Sequence, residues 1–254
     1  MQKTKINKLA KMFRNISGAR VFKTIRKLAT ALLTPISWSL NSGHFLSSLR
    51  EKSVAADGSP LPWLTYPAID FICSRDFDNA NVLEFGGGQS TLFWSNRTKT
   101  VLCFEADAEW RDYIDTSSSE NVEILLVPSE IKAQIKFVEG VLSKKKQLFD
   151  VILVDGMHRV PAFETAVKYL IKGGMIICDN AESYKFMQSW AKNTDFQRLD
   201  FYGHAPGVLH PHLTTIHFKG FSNYLRNDNP VYFKAYGMRN FPYASKDSDR
   251  ITTD

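Results

Sequence analysis

Cysteine is scarce in this sequence: Cys73, Cys103 and Cys178 are the only three in 254 residues. All three sit inside apolar runs and none has metal-ligand spacing. That excludes a disulfide framework or a cysteine-built zinc centre as the organising device, and it points to buried thiols in a reducing compartment. Long apolar runs are lacking too. The stretch Leu28–Leu40 is too short to span a bilayer and is interrupted by Pro35, so no transmembrane helix is expected. A long basic region ahead of that broken apolar stretch also argues against a secretory signal. There are no internal repeats. No lysine follows the glycines at 86–88, which disfavours a triphosphate cradle.

Acidic residues are missing from the first 50 positions, which hold ten Lys or Arg residues. The remaining chain has 22 basic against 26 acidic residues, so the net charge of +6 originates in the N-terminal segment. There Ile6, Leu9, Phe13 and Ile16, then Val21, Phe22, Ile25, Leu28, Ala29 and Leu32, recur at helical spacing. Residues 1–40 therefore read as a basic amphipathic extension with three open roles. It can pack its apolar stripe on the body, touch an anionic membrane through residues 1–30, or act as a targeting or nucleic-acid-binding arm. The mildly acidic body speaks against nucleic acid as the main partner.

What is present is an ordinary globular composition, 44% hydrophobic and 23% charged, of a length that suits one α/β domain with extensions. Residues 41–65, rich in Ser, Gly and Pro, read as a connector into a main domain over 41–220. Helix is expected at 66–75, 91–97, 109–116 and 161–170, with helix or loop at 130–146. The basic run Lys144–Lys146 reads as a solvated turn. Strands are expected at Val82–Phe85, Thr100–Glu105, Val122–Val127, Val151–Val154 and Met175–Cys178, the last announced by Gly173-Gly174. This alternation implies a doubly wound α/β fold with a mostly parallel sheet. Leu199–Tyr202 and Thr214–Phe218, joined by a long loop, suit a terminal antiparallel pair and bring the sheet to seven strands. Residues 221–254 read as a polar, loop-like tail.

The stretch "NVLEFGGGQSTLFW", residues 81–94, runs from strand into three glycines and then helix. In doubly wound sheets such a turn marks a nucleotide-cofactor site. The dinucleotide fingerprint asks for a third glycine where Thr91 stands. The pattern present is E-x-G-x-G-x-S, made by Glu84, Gly86, Gly88 and Ser90, with Gly87 inside it and Glu105 closing the second strand. A carboxylate at that strand end can accept hydrogen bonds from both hydroxyls of a ribose.

This order of motifs resembles the class I S-adenosylmethionine-dependent methyltransferases over roughly residues 60–220. The resemblance implies a Rossmann-like methyltransferase fold. It implies that Glu84, Gly86, Gly87, Gly88 and Ser90 face the cofactor's methionine and ribose part, and that Glu105 binds the ribose. An acid-flanked glycine turn suits a cofactor without phosphate whose sulfonium and ammonium are cationic. The segments "SGHF", "LPWLTYPAIDF", "FEADAEW" and "VDGMHR" further resemble a group of bacterial methyltransferases. That likeness implies a cytoplasmic enzyme acting on a small-molecule hydroxyl, on a sugar or another glycoconjugate precursor. The segment holding Trp63 and Tyr66 often closes over the cofactor in this fold, which makes Tyr66 a candidate contact. A hydrophobic entry segment packed on the sheet is the other reading.

The chemistry is left with three readings. In metal-dependent O-methyltransferases, which the chain matches in part, an Asp after the fourth strand and an Asp-Asn pair after the fifth hold magnesium. Asp155, Asp179 and Asn180 match those positions, while His158 stands where no catalytic lysine is found. In a metal-free reading His158 is the general base and Asp155 shapes the pocket. In the third, these residues are turn and cap residues. His210 and His212 belong to a loop expected to face substrate. The rival functions are a nicotinamide oxidoreductase and a non-enzymatic module binding membrane or nucleic acid through the basic N-terminus.

Overall fold

The computed structural model describes residues 19–183, 196–226, 231 and 235–237. The chain divides into two compact units, one from Gly43 to Tyr236 and one made of the segments flanking it.

In the larger unit the strands are β1 (Asn81–Phe85), β2 (Thr100–Glu105), β3 (Val122–Leu126), β4 (Phe149–Val154), β5 (Leu170–Cys178), β6 (Phe196–Gly203) and β7 (His212–Lys219). They form one sheet in the order β3-β2-β1-β4-β5-β7-β6. The first five run parallel, and β7 lies antiparallel to both β5 and β6. This is the doubly wound sheet with a terminal antiparallel pair that the alternation of elements implies. The central strands are apolar on both faces because helices cover both sides. Val82, Leu83, Val151, Ile152, Ile176 and Ile177 are almost wholly buried. On one side Leu83, Phe104, Phe149 and Ile152 form a core with Val138, Leu142 and Phe163. Full burial of a side chain such as Phe163 contributes about 1.5–3 kcal/mol.

Helices α2 (His44–Arg50), α3 (Tyr66–Cys73), α4 (Gln89–Ser95), α5 (Ala108–Ser117), α6 (Ile131–Lys145), α7 (Arg159–Tyr169) and α8 (Asn223–Arg226) complete the described part of this unit. Two caps fix helix starts. Asp107 accepts the Trp110 N–H at α5, and Glu130 accepts the Lys132 and Ala133 N–H groups at α6. Lys144 and Lys145 close α6, where cations suit the helix dipole, and Lys146 follows in the left-handed region. The segment 41–65 is not all connector, since α2 lies within it. Strand β5 begins five residues earlier than its apolar run implies. Phe149 pairs with Leu170 and Val151 with Met175, so Gly173 and Gly174 sit in an irregular stretch of the strand.

The register aligns the strand ends that matter. Phe85 pairs with Phe104 and Val154, and Val154 pairs with Cys178. Gly86, Asp155 and Asp179 each follow directly on this row. The strand order reverses between β1 and β4, and such a switch point opens a crevice at the carboxyl edge.

In the other unit the described residues form α1 (Ala19–Ser42), which continues through Pro35. Among the described residues no helix is long and apolar enough to cross a membrane. The expected helix near residues 6–16 lies outside the described residues, as does most of the segment after residue 226.

Candidate functional site

A cavity of about 430 Å³ opens at this carboxyl edge. It is lined by the turn from Gly87 to Ser90, by Asp155 and Arg159 after β4, and by Asp179 and Asn180 after β5. Trp63, Trp110, Val208 and His212 complete the lining.

The three glycines answer to different neighbours. Gly86 has φ +93°, and a Cβ there would lie 2.4 Å from the Gly156 Cα. Gly156 is closed in the same way by Gly86, so the turns after β1 and β4 pass each other at backbone contact. A Cβ on Gly87 would meet the Cys103 Sγ at 2.8 Å and the Ile114 Cδ1 at 2.9 Å. Gly87 and Gly88 both line the cavity, but only at Gly88 is there room for a Cβ, with the Trp110 Nε1 the nearest atom to its position at 3.6 Å.

All three backbone N–H groups of the turn are used inside the protein. Gly86 donates to the Phe104 carbonyl at 2.9 Å, Gly87 to the Glu105 Oε2 at 2.6 Å, and Gly88 to the Thr91 Oγ1 at 3.0 Å. The Thr91 hydroxyl in turn donates a hydrogen bond to the Glu84 Oε2 at 2.6 Å. Glu84 is fully buried beneath the turn, burial pushes its carboxyl up to about 8, and its Oε1 has no hydrogen-bond partner among the described residues. Glu105 also accepts the Ala106 and Asp107 N–H groups at 2.7 and 2.8 Å. Both acids thus hold the turn from behind. Glu84, Gly86 and Glu105 are not among the residues lining the cavity, whereas Gly87, Gly88 and Ser90 are.

Arg159 gathers the ends of β4 and β5. Its Nη2 lies 2.9 Å from the Asp155 Oδ1, and its Nη1 donates to the Asp179 carbonyl at 2.6 Å and the Asn180 Oδ1 at 3.0 Å. Burial and the neighbouring Asp179 push the Asp155 carboxyl above its ordinary range, against the pull of Arg159. Burial likewise raises Asp179, against the hydrogen bond it accepts from Thr214 at 2.7 Å. The guanidinium stands against the Asp155 and Asn180 side-chain oxygens that the magnesium reading assigns to a metal, so as placed these oxygens answer to Arg159, while the Asp179 carboxylate accepts from Thr214. Among the described residues no group of three His, Cys, Asp or Glu side chains could hold a metal ion.

The structure separates the histidines. The His158 Nε2 lies 2.9 Å from the Ser129 carbonyl, and the residue lines a smaller hollow with Gln134, Met157 and Pro161. It does not join Asp155 in the main cavity. His212 does: its Nε2 is buried 3.6 Å from the Asp179 Oδ2. His210 is exposed in the adjoining loop. His217 is buried in β7 against Phe163, and burial pushes its pKa down to about 4. Tyr66 is buried at the start of α3, near the rings of His44 and Tyr236, and is not among the residues lining the cavity. The aromatic walls are Trp63, whose Nε1 donates to the Pro206 carbonyl at 2.8 Å, and Trp110, whose Nε1 donates to the Gly87 carbonyl at 2.7 Å. Trp110 stacks on Tyr113, with the Lys52 ammonium 4.0 Å from the Tyr113 ring centroid.

Sequence reasoning named Gly88, Ser90, Asp155, Asp179 and Asn180, all of which the fold brings to one cavity. It gave Arg159, in the strand-end segment "VDGMHR", no role of its own, and it missed Trp110 as part of the site. Their signal was position: each falls within five residues of a strand end that carries an acid.

No protein-family model matches the chain, and no curated protein matches it. Solved structures similar to it include an rRNA methylase from Streptococcus thermophilus, at 14% identity over 60% of this chain and 93% of that one, with a TM-score of 0.43. A precorrin-6y C5,15-methyltransferase from Geobacter metallireducens matches at 12% identity over 60% and 87%, with a TM-score of 0.47. A protein from Staphylococcus aureus described as a caffeoyl-CoA O-methyltransferase matches at 14% identity over 78% and 98%, with a TM-score of 0.48. By its strand order and its terminal antiparallel pair, the chain has the Rossmann-like fold of the class I S-adenosylmethionine-dependent methyltransferases.

Proposed function

We propose that this protein transfers a methyl group from S-adenosylmethionine to a hydroxyl of a small polar acceptor, with a sugar or another glycoconjugate precursor as the acceptor class. The observation that carries the reading is the occupied backbone of the glycine turn. A pyrophosphate needs free N–H groups at such a turn, and here the amides of Gly86, Gly87 and Gly88 are spent on Phe104, Glu105 and Thr91. Among the described lining residues Arg159 is the one Lys or Arg, and it is paired with Asp155. A cofactor that is itself cationic suits Asp155 and Asp179 instead. This disfavours a nicotinamide dinucleotide at the same turn.

In this reading Gly88 lets the cofactor lie against the backbone, and the Trp110 indole walls one side. Glu105, which stands behind the turn and does not line the cavity, fixes the Gly87 amide and so the shape of the turn against the cofactor. The bound cofactor supplies a methyl carbon on a sulfonium, which leaves as a neutral thioether. His212 is the base. Its Nε2 faces Asp179, which leaves Nδ1 to take the acceptor's hydroxyl proton as the new O–C bond forms and the C–S bond breaks. Asp179 then stabilises the imidazolium. Asp155, Asn180 and Trp63 give a polyhydroxylated acceptor hydrogen-bonding groups and a flat apolar wall. Alignment of oxygen, carbon and sulfur supplies much of the remaining rate.

The test is transfer of an isotope-labelled methyl group to a panel of hydroxylated small molecules, sugars included, without added metal. Label in an ether product supports the reading. Label only in nitrogen, carbon or RNA acceptors overturns the choice of acceptor.

A further inference from the structure

Helix α1 carries a pattern that methyl transfer does not use. Val21, Ile25, Leu28, Leu32 and Ile36 follow one another at steps of three or four residues and so form one stripe along the helix. Each of these side chains is more than half exposed. Leu33 and Leu40, at the border of the stripe, are exposed to the same degree. Arg20, Lys23 and Lys27 share the opposite side at the same spacing, and Arg26 lies between the two faces. The helix contains no acidic residue. At 1.5 Å per residue its 24 residues extend about 36 Å.

We propose that α1 lies in the interface of an anionic lipid bilayer, with the Val21–Ile36 stripe in the acyl boundary and Arg20, Lys23, Arg26 and Lys27 against the headgroups. Two observations select this partner. A polynucleotide would satisfy the cations and leave five aliphatic side chains in water, whereas a neutral apolar surface would satisfy the stripe and leave the cations without counter-charge. An anionic bilayer answers both. The mode is lying on the membrane, because the helix is not apolar enough to cross it. The inference is independent of the methyl-transfer reading.

The test is flotation of the full-length protein with phosphatidylcholine vesicles, with and without phosphatidylglycerol, at low and high salt. The expected result is binding to the anionic vesicles alone, weakened by salt. Reversing two charges in Lys23→Glu/Lys27→Glu should weaken binding about 30-fold or more, because each cation near such a surface contributes about a factor of five. Leu28→Glu/Leu32→Glu should abolish binding while the thermal melt stays as in the parent, since these side chains are already exposed. If the doubly substituted stripe prevents folding, the lipid and salt dependence of the unmodified protein still decides the matter. Three results would overturn the proposal: equal binding to both vesicles, no binding to either, or duplex DNA binding that survives Leu28→Glu/Leu32→Glu in place of vesicle binding.

Discussion

Arg159 and Asp155 form an ion pair at 2.9 Å, four residues apart across the start of α7, and the same guanidinium reaches the backbone and side chain that follow β5. One side chain therefore ties two adjacent strand ends and is the one Lys or Arg among the described residues lining the cavity. Magnesium and a chelator should leave cofactor binding and the melting temperature unchanged. Arg159→Ala strands Asp155 in a poorly hydrated place and should cost on the order of 2–3 kcal/mol of stability, measured by denaturant unfolding.

Gly86 and Gly88 should respond differently to the same substitution. Gly86→Ala forces a Cβ into the Gly156 backbone at a positive φ and should destabilise the fold by on the order of 3 kcal/mol. Gly88→Ala has room, with the nearest atom 3.6 Å away, and should fold normally. It should weaken binding of S-adenosylhomocysteine by roughly tenfold or more, because the methyl takes space the ligand needs. Unfolding curves and binding isotherms for both variants separate the two roles.

Glu84 gives the fold a pH dependence with a definite sign. Its carboxyl is raised by burial from 4.5 to about 8. Below the lower value both folded and unfolded chains hold the proton. Between the two values only the folded chain does, so its contribution to stability falls as pH rises and is lost through the folded pKa. Glu84→Gln keeps an acceptor for Thr91 and removes the titration. Melting temperatures at pH 5 and pH 8 should fall more in the parent than in the variant, and equal falls would contradict this placement of Glu84.

The histidines give a contrast within one reaction. His212→Ala should lower the turnover rate roughly 10²- to 10⁴-fold with cofactor affinity intact, the usual range for loss of a general base. His158→Ala should leave the rate nearly unchanged, because the ring is engaged with the Ser129 carbonyl. The reverse ranking would restore His158 as the base.

The sheet was legible because each parallel strand is a short apolar run between polar turns, and the antiparallel pair because its connecting loop suits a return better than a crossover, which usually needs a helix. The early start of β5 was hidden, because Gly173-Gly174 reads as a turn when it is an irregularity within the strand. Helix α2 was hidden by the Ser and Gly around it. In the site, strand-end position located Asp155, Asp179 and Asn180, since register alone carries such residues to one edge. What pairs with them is set by tertiary approach. Sequence could not tell that Arg159 would pair with Asp155 and Asn180 and reach the Asp179 carbonyl, that Glu84 would turn away beneath the turn, or that His212 from β7 would reach Asp179 while His158 would not.

The most direct test of the account is calorimetric titration of the full-length protein with S-adenosylhomocysteine and, separately, with NADH, each with magnesium and with a chelator. The account predicts binding of S-adenosylhomocysteine in roughly the micromolar range, unchanged by the metal, and no heat from NADH. Binding of NADH, or no binding of S-adenosylhomocysteine by a sample with a cooperative melt, would contradict it.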